Sequence, residues 1–125
     1  MLLMDKIFLT GLRTDAVIGI YDWERDIRQL LIVDLEMATD IRKASATDDI
    51  QYTLNYKSIS DRVVAFVSDS SFGLIETLAE QIAEIVRGEF GVSWVRVTVH
   101  KPDAIEAASD LGVTIERGER QMTQS

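Results

Sequence analysis

Four places in the chain put a proton-handling or hydrogen-bonding side chain where a site can use it. Lys101 follows an alternating run, Val95 to His100, and is itself followed at once by Pro102. A proline stops a strand and fixes the direction of the chain. The lysine therefore stands at a strand end beside a rigid turn, a good place for a base, although most such lysines are solvated ends. Glu76 is a first-turn acid of a segment with helical period. It reads either as a carboxylate answering the helix dipole or as one gripping an amino-substituted heterocycle through paired hydrogen bonds. Amides at the helix start could assist the second role. Tyr56 opens an earlier helical segment and reads as a half-buried aromatic with its hydroxyl in water. Glu24 lies in the polar loop Tyr21-Asp22-Trp23-Glu24-Arg25, where a glutamate is ordinarily solvated. A tryptophan in so charged a loop indicates that the loop packs onto something.

Other chemistries lack their residues. The chain has no cysteine and one histidine. That excludes a disulfide framework, a thiolate nucleophile and Cys-based metal sites. No metal is expected, because a zinc site needs three or four His, Cys or carboxylate ligands and no loop shows calcium-type spacing. No serine sits in a Gly-x-Ser-x-Gly elbow, so His100 has no nucleophile to serve. The seven glycines never cluster into a phosphate loop. No cofactor is called for.

The bulk numbers bound the rest. A length of 125 residues reads as one domain, 1–125, with room for a real core. The composition, 46% hydrophobic and 27% charged, is that of an ordinary soluble domain. The net charge is −8 and the basic residues are scattered, which argues against nucleic acid as a partner. The N-terminal stretch MLLMDKIFLTGLR carries an acid at Asp5 and no long apolar run. It reads as neither a signal peptide nor a membrane span, and its first methionines offer alternative starts. A cytoplasmic location is expected.

The elements that must position the four residues follow from periodicity. Lys6 to Leu9 and Ala16 to Ile20 are short apolar runs around a Gly-Leu-Arg-Thr-Asp stretch, which reads as a hairpin turning near Gly11. Asp22 to Arg28 reads as a loop. Leu31, Val33, Leu35 and Met37 alternate with Ile32, Asp34, Glu36 and Ala38, a long half-buried strand. Lys43 to Asp49 reads as a loop or a single helical turn.

From Tyr56 the period changes. Ile59, Val63, Phe66 and Val67 share a helix face, with Asn55 as N-cap. A second helix runs from about Leu74 to Glu89. Leu74, Ile75, Leu78, Ile82, Ile85 and Val86 form its buried face, and Glu80, Glu84 and Arg87 its wet one. Gly88 and Gly91 mark its exit. Val95, Val97 and Val99 then alternate with Trp94, Arg96, Thr98 and His100, and Val113 to Glu116 forms a last strand. Strands, two helices, strands: the class is α+β, an antiparallel sheet of four-stranded type with both helices on one face. Such a sheet has two outer edges to cover, so pairing with further copies into an oligomeric ring is expected.

The same places carry a family resemblance. Ile18-Gly19-Ile20-Tyr21-Asp22-Trp23-Glu24 resembles the "IGVYDWE" loop of proteobacterial dihydroneopterin aldolases. Leu54-Asn55-Tyr56, Leu74 to Glu80, Lys101-Pro102 and Gly112 to Gly118 follow in that family's order and spacing. The resemblance spans nearly the whole chain and implies the tunnelling fold. It also implies a homo-oligomer, commonly an octamer of two stacked tetrameric rings, with the site between subunits.

The implied reaction is retro-aldol cleavage of 7,8-dihydroneopterin, a small reduced pterin, to 6-hydroxymethyl-7,8-dihydropterin and glycolaldehyde in folate biosynthesis. The resemblance makes Lys101 the acid/base lysine, Glu24 its orienting carboxylate and Tyr56 a proton donor to the enol-like intermediate. Glu76 becomes the anchor of the pterin's amino-pyrimidine edge, and Leu54 and Ile75 add backbone contacts. It further implies that Lys101 and Glu76 face Glu24 and Tyr56 across an interface. Two rival readings share the fold: an epimerase of dihydroneopterin or its triphosphate, and a non-catalytic ring protein that binds a pterin or purine.

Overall fold

The computed structural model describes residues 5–119. The methionines at the N-terminus, read as alternative starts, lie outside them. The elements run β1 (Asp5–Ala16), α1 (Asp22–Arg25), β2 (Gln29–Thr39), α2 (Arg42–Thr47), a 3₁₀ turn (Ile50–Tyr52), α3 (Tyr56–Asp69), α4 (Ile75–Phe90), β3 (Trp94–His100) and β4 (Gly112–Gly118). The four strands form one antiparallel sheet in the order β1-β2-β3-β4. β1 and β4 are its edges, and both long helices pack on one face. The α+β class and the four-stranded sheet are as the periodicities indicate.

Alternation places the core. Val33, Leu35 and Met37 of β2 and Val95, Val97 and Val99 of β3 are buried, and they meet Ile59, Val63 and Val67 of α3. Leu78, Ile82 and Val86 of α4 complete the layer, with Ala79 and Ala83 letting the helix lie close. Asn55 caps α3 as expected, its side chain accepting from the Ser58 amide at 3.1 Å. Gly91 ends α4 in the left-handed region at φ 68°.

Five readings change. There is no hairpin at Gly11. Asp5–Ala16 is one strand, and its register against β2 jumps between Leu9 and Leu12. Gly11, at φ 74°, makes a bulge there rather than a turn, and its amide bonds Asp34 Oδ1 at 2.7 Å. The Asp22 to Arg28 loop contains the single turn α1. Leu74 is not on the buried face of α4: it is the N-cap, 47% exposed. Trp94 shares the open face of the sheet with Arg96, yet is only 2% exposed. Its ring lies beneath Lys6 and Arg96, whose cations stand 5.6 and 5.8 Å from the centroid. Gly88 falls inside α4, and only Gly91 marks the exit.

Candidate active site

β1 ends at Ala16, and the chain then passes under the start of α4 before turning into α1. Two contacts hold that passage. The Gly19 amide bonds the Phe72 carbonyl at 3.2 Å. The guanidinium of Arg25 donates to the carbonyls of Gly19, Phe72 and Ser71. The segment before α4 and the turn of α1 are thereby fixed to each other, which brings Glu24 beside Ile75 and Glu76.

Glu24 is 5% exposed, the buried charge among the described residues. A carboxylate out of water must be fully partnered, and this one is. Oε1 accepts from the Tyr21 amide at 3.3 Å. Oε2 accepts from Gln29 Nε2 at 3.0 Å and from Lys101 Nζ at 2.7 Å. Gln29 is itself oriented by the Ile18 carbonyl at 2.9 Å. The Lys101 ammonium, then Gln29, hold the Glu24 carboxyl down at about 2, overcoming the burial that pushes it up. The ammonium end belongs to a side chain that is itself only 13% exposed.

Lys101 is positioned by the end of β3. Its amide bonds the Leu111 carbonyl at 2.8 Å, closing the base of the loop that leads to β4. Gly112 permits that closure, because a Cβ there would stand 2.7 Å from the Val99 carbonyl oxygen.

The pair opens on a cavity of about 480 Å³. Glu76 and Ile75 of α4 form one wall, Lys101, Ala104, Ile105 and Leu111 another, and Ile20, Tyr21 and Trp23 the mouth. The volume suits a small heterocycle, with few polar groups set in an apolar lining. Ile20, Tyr21, Trp23, Leu74 and Ile105 are each at least 47% exposed, so the mouth is rimmed by uncovered apolar surface. Trp23, expected to pack onto something, contributes to that rim. No group of three or more His, Asp or Glu among the described residues is arranged to hold a metal.

The structure thus brings four of the six sequence-derived site residues together in one chain: Glu24, Lys101, Glu76 and Ile75. The expectation that Glu24 faces Lys101 across an interface is corrected, since their contact is within the chain. Tyr56, 49% exposed, and Leu54 are not on the wall of this cavity. Glu24, read in isolation as solvated, is buried. Gln29 was missed, and no local pattern marks it; only its contact with Glu24 does.

The dihydroneopterin aldolase family model matches residues 7–116. The chain belongs to the dihydroneopterin aldolase family. Among its relatives, the dihydroneopterin aldolase of Escherichia coli is 44% identical over 92% of this chain and 94% of its own length. That of Haemophilus influenzae is 39% identical over 92% and 98%. The Escherichia coli enzyme solved in complex with neopterin superposes with a TM-score of 0.89 at 43% identity, covering 92% of this chain and all of that one. A Burkholderia thailendensis dihydroneopterin aldolase bound to guanine, 21% identical, shares the fold at a TM-score of 0.77 over 93% and 92%. The fold is the tunnelling fold of the family, reached with the buried Glu24–Lys101 pair in place.

Proposed function

We propose that the chain cleaves the side chain of 7,8-dihydroneopterin by a retro-aldol reaction. The observation that carries this is the Lys101 Nζ–Glu24 Oε2 contact of 2.7 Å at the floor of a cavity that Glu76 also lines. Family membership, and a relative 43% identical that binds neopterin, support a pterin as the occupant.

Retro-aldol cleavage needs a base for a side-chain hydroxyl proton and a sink for the electrons of the broken carbon–carbon bond. The Glu24–Lys101 pair supplies proton transfer. As the hydroxyl proton leaves, the O–H electron pair becomes the carbonyl of glycolaldehyde. The carbon–carbon bond breaks, and its electrons move into the pterin's ring C=N. The enol-like intermediate then takes a proton at the side-chain carbon, giving 6-hydroxymethyl-7,8-dihydropterin. Because the ring accepts the electrons, the step needs neither a Schiff base nor a metal. Glu76 would accept paired hydrogen bonds from the amino-pyrimidine edge, with Ile75 adding backbone contact.

Tyr56 and Leu54 join this scheme through assembly. The free edges β1 and β4 and the apolar rim fit a homo-oligomeric ring, an octamer of two tetramers, in which a neighbour closes the mouth. Tyr56 of the partner subunit would then reach the intermediate as proton donor. No helix among the described residues is long and apolar enough to cross a membrane, and we place the reaction in the cytoplasm.

The test is direct. Pure protein, treated exhaustively with EDTA, is incubated with 7,8-dihydroneopterin. Glycolaldehyde and 6-hydroxymethyl-7,8-dihydropterin should appear together. Turnover that disappears on chelation and returns with zinc would refute the metal-free scheme. Change at the side-chain stereocentre without glycolaldehyde would mark an epimerase instead.

A further inference from the structure

The residue next to Lys101 faces away from the cavity, on the open side of the sheet, and carries contacts the reaction scheme does not use. His100 Nε2 lies 2.7 Å from Asp34 Oδ2, and Nδ1 lies 2.7 Å from Asp110 Oδ2. An ionised carboxylate only accepts. Both contacts are hydrogen bonds at once only if both ring nitrogens carry protons, so this geometry describes an imidazolium.

The two carboxylates are anchored differently. Asp34 sits in β2, and its other oxygen accepts from the Gly11 amide at the β1 bulge, 2.7 Å away. Asp110 sits at the end of the loop between β3 and β4, and its other oxygen accepts from the Leu111 amide at 2.8 Å. His100 therefore ties the 101–111 loop to the middle of the sheet. That loop carries Lys101, Ala104, Ile105 and Leu111 to the cavity wall, and its base is the Lys101 amide–Leu111 carbonyl bond.

We propose that His100, held as an imidazolium between Asp34 and Asp110, is a positioning residue for Lys101: it locks the 101–111 loop so that the lysine stays on Glu24. This rests on the reading of Lys101 and Glu24 as the proton-transfer pair. When His100 loses its proton, one nitrogen presents a lone pair to a carboxylate lone pair, and that contact opens. Asp34 lies within the sheet, so the loop end at Asp110 is the side that yields.

The charges around His100 agree. Asp34 faces it from β2, Asp110 from the loop, and β4 offers only Gly112 at the paired position. In the same row, Arg13 of β1 lies two strands away, opposite Ile32. Arg96 and Glu36 lie further along the open face and are bonded to each other at 2.6 Å. The hydrogen bond to Asp34, and then that to Asp110, raise the His100 pKa above its ordinary 6.5. The lock is therefore complete below that ordinary value and is lost as pH rises through the raised one.

Asp110→Asn gives a sharp test. Its side-chain oxygen can keep the Leu111 amide, while its NH₂ takes the place of Oδ2 and donates to Nδ1 of a neutral imidazole. Nε2–H then still serves Asp34. The variant's lock is thus complete with His100 neutral and broken with it charged, the reverse of wild type.

The experiment follows the chain's single histidine by NMR, unambiguous for that reason. Beside it run amide exchange at Lys101 and Ala104, normalised to intrinsic rates, and kcat and pterin binding between pH 6 and 9. At pH 6 we expect Asp110→Asn to exchange faster than wild type. Its kcat should be roughly 10- to 100-fold lower, the usual cost of a misplaced catalytic group. Binding of a product-like pterin should stay within about twofold, because Glu76 lies outside the loop. Above the histidine's titration the order of exchange rates should reverse. Exchange that stays parallel in the two proteins across the titration overturns the lock. So does a variant that exchanges faster at pH 6 yet keeps wild-type kcat. If wild type cleaves no dihydroneopterin at any pH, the reading of the pair fails, and the exchange reversal alone decides whether His100 locks the loop.

Discussion

The α-carbon of Gly19 stands against the carboxylate of Glu24 so closely that a Cβ on it would overlap the carboxyl group. The glycine is also at φ 128°, where side chains are strained. One missing methyl therefore makes room for the buried acid, and the acid in turn holds Lys101. Gly19→Ala should cost more than about 1 kcal/mol of stability from backbone strain alone. It should also push Glu24 off Lys101 and lower kcat. Thermal unfolding and turnover measured together check this; an alanine variant with wild-type values of both would show that the passage under α4 rearranges freely.

Lys101→Ala should cut kcat by roughly 10²–10⁴-fold, the range of general acid–base catalysis. Substrate affinity should change far less, since Glu76 would carry the pterin. Lys101→Arg should fail nearly as badly, because a guanidinium does not release its proton. Single-turnover rates beside pterin binding separate the two effects. Near-normal turnover of the arginine variant would reduce Lys101 to a positioning charge.

Glu76→Ala should weaken binding of a product-like pterin by about 2–5 kcal/mol, as for loss of one partner from a covered, charged hydrogen bond. Calorimetric titration reads this, and affinity within twofold of wild type would remove Glu76 from the anchor role.

Glu24 makes part of the stability acid-sensitive. Its folded pKa of about 2 lies below the ordinary 4.5 of a glutamate. The contribution is therefore complete above that ordinary value and is lost as pH falls through the window between the two. The gap in melting temperature between wild type and Glu24→Gln should be largest near neutral pH and shrink on acidification. A gap that widens toward pH 3 would contradict the paired, ionised state.

Light scattering should show an assembly well above the 14.1 kDa of one chain. The exposed rim residues Ile20, Trp23 and Ile105 and the open strand edges call for covering. Trp23→Ser should weaken assembly and activity together. A monomer with full turnover would show that Tyr56 is dispensable to the site.

Much of this was legible in the residues. The period-two runs of β2 and β3 and the helical spacing of Ile59, Val63 and Val67 depend only on which face of an element meets water. So do the apolar positions of α4 from Ile75 to Val86. Asn55 and Gly91 are local signals and read correctly. The order of these elements set the α+β class, and the Tyr21 to Glu24 and Lys101-Pro102 stretches marked the family.

What stayed hidden depended on partners distant in the chain. Gly11 makes a bulge because β1 pairs with β2 along its whole length, and a sequence window sees the glycine but not the partner strand. Trp94 is buried by Lys6 and Arg96, one of them 88 positions away. Tyr56 lies off the cavity because α3 begins outside its wall, which spacing along the chain does not encode. The sequence by itself determined the elements, their faces and their kinship, because those follow from local period and short-range chemistry. Only the tertiary structure decided that Glu24, among the chain's many acids, is the buried one. Loss of water is set by Gly19, Gln29 and Lys101 closing around it from three separate segments, and that enclosure exists only once the sheet and α4 have packed.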